Sequence, residues 1–357
     1  MEQFSERSKK NRRRESSEDD MQAIGREITS PVLLCRPDGT LNPEAQGWSR
    51  HPLHTCNLAG RFLRKKRWDY WCITNDRWLF SATISNLDYA AAGFVYALDF
   101  ESKEFGETIE IVPFGKNAMP DRVDASQSFR RGGVQIDVEN AGSSVRLAVK
   151  AAKVGGLPLQ ADILISRPAE LESLNVVVPW DNRTFQFTSK QHCMPAEGRV
   201  TWGAHTFDFS AKDSFACLDY GRGIWPFSTS WNWAAFSTRW GSDILGVNMG
   251  ARWTDGTGAN ENGIILNGVL HKIAGDLRFE YDAKDLMKKW RITSIDSDEI
   301  DLEFTPFFRR VADTNLLLVR TNVSQMIGHF RGTVRAGGRE IAVDGAAGWA
   351  EEHFARW

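Results

Sequence analysis

The sequence predicts an all-β fold of two antiparallel β-barrel or sandwich domains in tandem, and three observations predict it. Short segments alternate between apolar and polar residues along nearly the whole chain, with Gly, Asn, Asp or Pro marking a turn roughly every ten residues. At 357 residues the chain exceeds the size at which one hydrophobic core keeps growing, so two domains are the expectation. Each half also carries a tryptophan-rich strand followed by an apolar one. Trp68-Asp69-Tyr70-Trp71 precedes 78–85, and Trp231-Asn232-Trp233 precedes 244–251, a faint sign of duplication.

Residues 1–20 place Lys9, Lys10, Arg12, Arg13 and Arg14 before Glu15, Glu18, Asp19 and Asp20, with almost nothing apolar between. Such a segment cannot bury enough apolar surface to offset its ordering entropy, so residues 1–23 are expected to be a disordered leader, with Met21 as an alternative start. An N-terminal β domain is expected over 24–195, with strands at 68–73, 78–85, 94–100, 133–139, 145–150, 159–166 and 174–178. Met194-Pro195-Ala196-Glu197-Gly198 breaks the pattern with turn formers and sets the expected boundary. The C-terminal domain, 196–357, continues with strands at 214–220, 231–239, 244–251, 269–272, 277–281, 300–307, 316–322 and 326–335. Only 282–289, rich in both charges, offers a short helix.

Composition excludes several classes. With 44 basic and 46 acidic residues and a pI near 6.4, the chain lacks the positive excess that tracks phosphate backbones, which argues against nucleic acid. No apolar run approaches the ~20 residues of a membrane-spanning helix, and the N-terminus has no apolar signal core, so a cytoplasmic protein without a transmembrane segment is expected. Cys35, Cys56, Cys72, Cys193 and Cys217 are odd in number and lack a Cys-x-x-Cys pair, which fits reduced thiols. His51, His54 and Cys56 carry zinc-type donors, yet no second close pair completes a four-ligand set, so no metal is expected. There is neither a phosphate-binding glycine loop nor a serine nucleophile elbow, and no cofactor is implied. The basic run Arg64-Lys65-Lys66-Arg67 reads as a solvated hairpin end.

The richest segment is 218–233, Leu-Asp-Tyr-Gly-Arg-Gly-Ile-Trp-Pro-Phe-Ser-Thr-Ser-Trp-Asn-Trp. Tryptophan joins a large apolar face to one N–H donor, so several together on β-type sequence make either a stacked core or the wall of a ligand cavity. Strand alternation places Trp231, Trp233 and Ala235 on one face, and Asn232, Ala234 and Phe236 on the other. Asp219 and Arg222 read either as a salt bridge inside an aromatic core or as the polar anchors of a ligand. Gly221 and Gly223 would let the backbone bulge and aim the guanidinium. In Trp349-Ala350-Glu351-Glu352-His353 the same alternation puts Glu351 and His353 on one face and Glu352 on the other. Carboxylate plus imidazole is an acid/base pair, or the row is simply a solvated terminal strand. Asp255, Thr257 and Glu261 read as members of an ordered turn.

The ordered motifs Thr29-Ser30-Pro31, Gly47-Trp48-Ser49-Arg50, 64–68, 218–233, Trp253-Thr254-Asp255-Gly256-Thr257-Gly258, Phe304-Thr305-Pro306 and 348–353 resemble those of the bacterial family known as domain of unknown function 2804. The resemblance runs from about Glu27 to Trp357 and departs at Lys288-Lys289-Trp290 and Ile327-Gly328. More remotely the layout resembles the carotenoid hydratase and AttH-like group, which implies two lipocalin-like domains and a barrel holding one small ligand. The resulting expectation is a hydrophobic or amphipathic small molecule bound in a tryptophan-lined cavity by Arg222, Trp225, Trp231, Trp233 and Trp253. The competing expectation is cofactor-free hydration or isomerisation with Asp219, Glu351, Glu352 or His353 as acid and base. A third is that the aromatics merely seal two domains together.

Overall fold

Alternating sequence becomes strand over most of the chain, and the strands gather into two large antiparallel sheets with a small parallel pair, Val32–Leu33 beside His54–Thr55. The computed structural model describes residues 25–114, 118–316 and 319–356, so the leader expected at 1–23 lies outside the described residues. In the first sheet the spatial order runs Phe105–Pro113, Ala90–Asp99, Trp78–Asn86, Lys65–Thr74, Phe215–Ile224, Phe185–Trp202, Leu157–Ser166, Ser144–Val154, Val134–Asn140 and Gln127–Arg131. The sheet curls so that its Phe105–Pro113 edge meets the far half: Gly155 N–H donates to the Glu107 carbonyl at 3.2 Å, and a side chain at Gly106 would strike the Trp202 indole. This is a nearly closed barrel, filled by Leu147, Ile163, Phe187, Phe207 and their neighbours.

Among the described residues the second sheet has nine strands, with Ser228–Trp240 near its middle, flanked by Asp243–Ala251 and Arg339–Arg356. Beyond the latter come Val319–Ala336, Ile300–Leu316, Trp290–Ser294 and Leu277–Glu280, curving into a half-barrel around Phe236, Trp290, Phe304 and Phe330. The tandem all-β expectation is therefore met. Each sheet has a second apolar face, and these two faces pack on one another: Tyr70, Cys72, Tyr96 and Cys217 from the first meet Trp233, Ile327 and Trp349 from the second. The chain passes from one sheet to the other through Trp225-Pro226-Phe227.

Three expectations need correction. The break at 194–198 is not a turn, because Phe185–Trp202 is one strand in which Pro195 pairs with Phe215. The irregularity there is a bulge, with the register shifting between Gln191 and Met194 and Cys193 at φ 59°, and a bulge is where a strand tolerates proline. The stretch 282–289 forms turns; Asp282 accepts from the Lys284 amide and the Lys288 ammonium, which competes with helix. Finally, Gly221 and Gly223 do not bulge. They lie in regular register, and a Cβ would meet the Trp68 ring at Gly221 and Gln186 at Gly223, so their role is close approach.

Candidate functional site

Phe215–Ile224 is central to the first sheet, and its alternation decides what its polar residues can reach. Residues three apart on a strand face opposite ways, so the expected Asp219–Arg222 pair does not form. Arg222 points into the first barrel, fully buried, where Nη1 lies 2.7 Å from Asp69. Its remaining donors go to the carbonyls of Pro120, Trp68 and Gly221, and the guanidinium covers the Tyr220 ring at 3.7 Å. A guanidinium satisfied so completely by protein has the contacts of a structural ion pair.

Asp219 points the other way, toward the second sheet, and its partner is Lys190, whose Nζ lies 2.9 Å away. Thr188 Oγ1 donates to the same carboxylate at 3.1 Å. The ammonium also reaches Glu261 at 3.0 Å and sits over the Trp233 ring at 4.5 Å. Burial by itself would lower the Lys190 pKa, but two facing carboxylates outweigh it and the value rises. Glu261 is pushed up by burial and by Asp219, against the pull of Lys190. Trp253 Nε1 donates to Glu261 at 2.9 Å, while Trp233 Nε1 and His192 Nε2 converge on Asn248 Oδ1 at 2.9 and 3.1 Å.

Glu351 and His353 extend this site along Arg339–Arg356, on the same face as Trp349, as alternation predicts. Glu351 is buried, and burial is the main cause that raises its pKa to about 7, against the opposing pull of Arg310. Its carboxylate accepts from Gln325 Nε2 at 2.9 Å and from the Trp231 indole. Gln325 Oε1 in turn accepts from Tyr96 at 2.9 Å, and the Tyr96 and Tyr70 hydroxyls share a hydrogen bond of 2.8 Å. Arg310, paired with Glu107, covers the Tyr96 ring at 4.4 Å. His353 packs on Trp231 at 3.7 Å between centroids, and burial lowers its pKa to about 3, so it is neutral at physiological pH. Glu352 faces away from the site, half-exposed, 3.7 Å from Arg252.

The tryptophans are in continuous contact, Trp231 lying 5.6 Å from Trp225, but differ in what else they touch. Trp231 and Trp233 flank the carboxylates. Trp225 stacks on Trp253 at 5.3 Å and also touches Trp180 and Trp68, so these indoles pack largely against one another at the seam between the sheets. Among the described residues no group of His, Cys, Asp and Glu is arranged to hold a metal, and all five cysteines are free thiols.

The structure thus unites Asp219, Glu351, His353, Trp231, Trp233 and Trp253 and leaves out Arg222 and Glu352. Sequence reasoning missed Lys190, His192, Gln325, Tyr70 and Tyr96, and assigned Glu261 to a turn. The signal for Lys190 lay in Phe185-Gln186-Phe187-Thr188-Ser189-Lys190, an alternation whose polar side looks solvent-facing until a second sheet covers it. The turn reading holds for 252–257, where Asp255 N–H returns to Arg252 and Thr257 N–H to Thr254, but stops short of Glu261.

Comparison with known proteins accords with this architecture. The family described as Domain of unknown function (DUF2804) matches residues 25–357, and the chain belongs to it. Curated protein sequences give no significant match. In fold the chain is similar to the crystal structure of CghA with Sch210972, at TM-score 0.50 and 10% identity over 92% of this chain and 94% of that one. It also aligns with kievitone hydratase from Nectria haematococca, at TM-score 0.43 and 11% identity over 82% and 88% of the two chains. Among the described residues no helix is long and apolar enough to cross a membrane.

Proposed function

We propose that this family member, acting in the cytoplasm, binds a hydrophobic or amphipathic small molecule of lipid or isoprenoid type between its two β domains. There it moves a proton on the ligand without a cofactor, as a hydratase or isomerase. The observation that carries this reading is Glu351, a buried carboxyl beside Trp231 whose pKa of about 7 suits it to both give and take a proton at neutral pH. In a hydration, Glu351 gives its proton to one carbon of a double bond, water adds to the other, and the proton lost by that water returns to Glu351. The Trp231 N–H and the Gln325 amide stabilise the carboxylate in between. Lys190, held between Asp219 and Glu261, supplies a fixed positive charge nearby, and the indoles provide apolar contact.

The mutual packing of Trp180, Trp225 and Trp253 favours a second reading, in which the aromatics seal the sheets and nothing is turned over. A panel of unsaturated fatty acids and isoprenoid alcohols, incubated with the protein in deuterated buffer, separates them. Proton chemistry predicts deuterium gain or added water by mass spectrometry, a raised melting temperature, and loss of the mass change alone in Glu351→Gln. A melting shift without mass change reduces the proposal to binding. Neither response leaves only the seal.

A further inference from the structure

A cavity of about 240 Å³ opens beside the Gln191–Met194 bulge and shares His192 with the candidate site. Arg167, His192, Pro52, Leu171, Met194 and Ser173 are among the residues that wall it. Two polar groups in this wall lack partners. Arg167 Nε and Nη2, the two donors along one edge of the guanidinium, are buried without a hydrogen-bond acceptor. The acids nearby are engaged elsewhere: Asp124 is held by Arg122 through two bonds of 2.9 and 2.7 Å, and Glu172 by Arg50 and the Leu270 amide, each at 2.7 Å. His192 Nδ1 is likewise buried and unpartnered. Its tautomer follows from the network. Asn248 donates from Nδ2 to the Glu261 carbonyl, so its Oδ1 is an acceptor, His192 Nε2 carries the proton, and Nδ1 is left with a lone pair.

A guanidinium edge without an acceptor, a ring nitrogen without a donor, and apolar walls from Pro52, Leu171 and Met194 define the chemistry of a guest. We infer that this cavity is a second binding site, for a small hydroxycarboxylate whose carboxylate answers Arg167 and whose hydroxyl donates to His192. The two donors on one guanidinium edge match the two oxygens of a carboxylate side by side. The wall covers these atoms, so a ligand meets them after a side-chain shift of the kind common at binding sites. This site goes beyond the proton chemistry proposed above and does not depend on it. It does touch it at one point: His192 and Trp233 share Asn248 Oδ1.

The test is calorimetric titration of the full chain with 3-hydroxybutanoate, and with butanoate, butan-1-ol and inorganic phosphate as comparison probes. Saturable binding of 3-hydroxybutanoate is expected, with butanoate several-fold weaker and butan-1-ol and phosphate weaker still. Arg167→Met should weaken binding by at least roughly 10-fold, since a charge-assisted pair is lost. The unliganded variant should melt no lower than the parent, because two buried donors without acceptors have been removed. Arg167→Lys keeps the charge without the paired donors and should bind at an intermediate level, which preserves the test if the Met variant folds poorly. The proposal is overturned by absence of saturable binding, by equal affinity for butanoate and 3-hydroxybutanoate, by preference for phosphate, or by affinity indifferent to Arg167.

Discussion

Arg222 and Lys190 are both fully enclosed cations that meet a carboxylate across the strands Lys65–Thr74, Phe215–Ile224 and Phe185–Trp202, yet they sit on opposite faces of the same sheet. Inside the barrel, Arg222 faces Asp69 and three carbonyls. Between the sheets, Lys190 faces Asp219 and Glu261, with Glu351 raised to about 7 in the same buried region. One arrangement is closed and charge-balanced. The other has an excess of acid and a carboxyl that exchanges its proton near neutral pH. The difference teaches that full burial of a charge does not by itself mark a site; incomplete neutralisation among several charges is what makes the second arrangement the candidate.

The largest test of that contrast is Arg222→Met, which strands Asp69 and should destabilise the fold by about 3–5 kcal/mol in denaturant titrations. Adding Asp69→Leu should return most of the loss, with ligand response unchanged once the double variant folds. A single variant that folds normally and loses ligand response would move Arg222 back into the site. Lys190→Met should cost on the order of 3 kcal/mol at pH 8. Because burial already pushes the Glu261 carboxyl up, Glu261 can take up a proton once the ammonium is gone, and that cost should shrink toward pH 5; a pH-independent loss would mean the ammonium serves packing alone.

Glu351 gives a pH signature of comparable size. Its folded pKa of about 7 lies above the ordinary glutamate value of 4.5, so the folded state holds a proton that the unfolded state releases. The stability this contributes is whole below pH 4.5 and falls away as pH rises to 7, by on the order of 3 kcal/mol. His54 and His192, each lowered to about 4 by burial, act in the opposite direction, losing stability as pH falls from 6.5 through 4. Comparing the protein with Glu351→Gln across pH 4.5–7 cancels the histidines, and the variant should gain steadily on the parent. A flat difference would mean that Glu351 has an ordinary pKa. The smallest effect belongs to Glu352→Ala, expected within ~0.5 kcal/mol because its ion pair with Arg252 is half-exposed. Any large loss of turnover there would return Glu352 to the acid/base set.

Much of the fold was legible in the sequence because alternation is local. The faces assigned to Trp231 and Trp233, and to Glu351 against Glu352, are those observed. What escaped had two causes. Phe185–Trp202 was hidden because its polar residues Gln186, Thr188 and Lys190 look solvated in isolation and are buried only by a sheet formed later in the chain. Asp219 and Arg222 were joined because proximity in sequence outweighed the two-residue period that separates their faces. The partners that matter, Asp69 for Arg222 and Lys190 for Asp219, come from neighbouring strands, and no local pattern encodes which strands will be neighbours.

The position of Phe215–Ile224 between Lys65–Thr74 and Phe185–Trp202 also bears on how the protein is made. On the ribosome, the first barrel lacks its middle strand until Ile224 has emerged, and Lys65–Thr74 must wait for a partner encoded far downstream. Until then two strands present bare edges, the form of surface on which nascent chains stick to one another. Closure needs contacts distant in sequence, which makes it slow. The link of Trp225-Pro226-Phe227 then places the first central strand of the second sheet immediately behind. A fragment that stops anywhere between Phe185 and Phe215 would therefore be an open sheet prone to aggregation, whereas one that reaches Ile224 carries every strand of the first barrel.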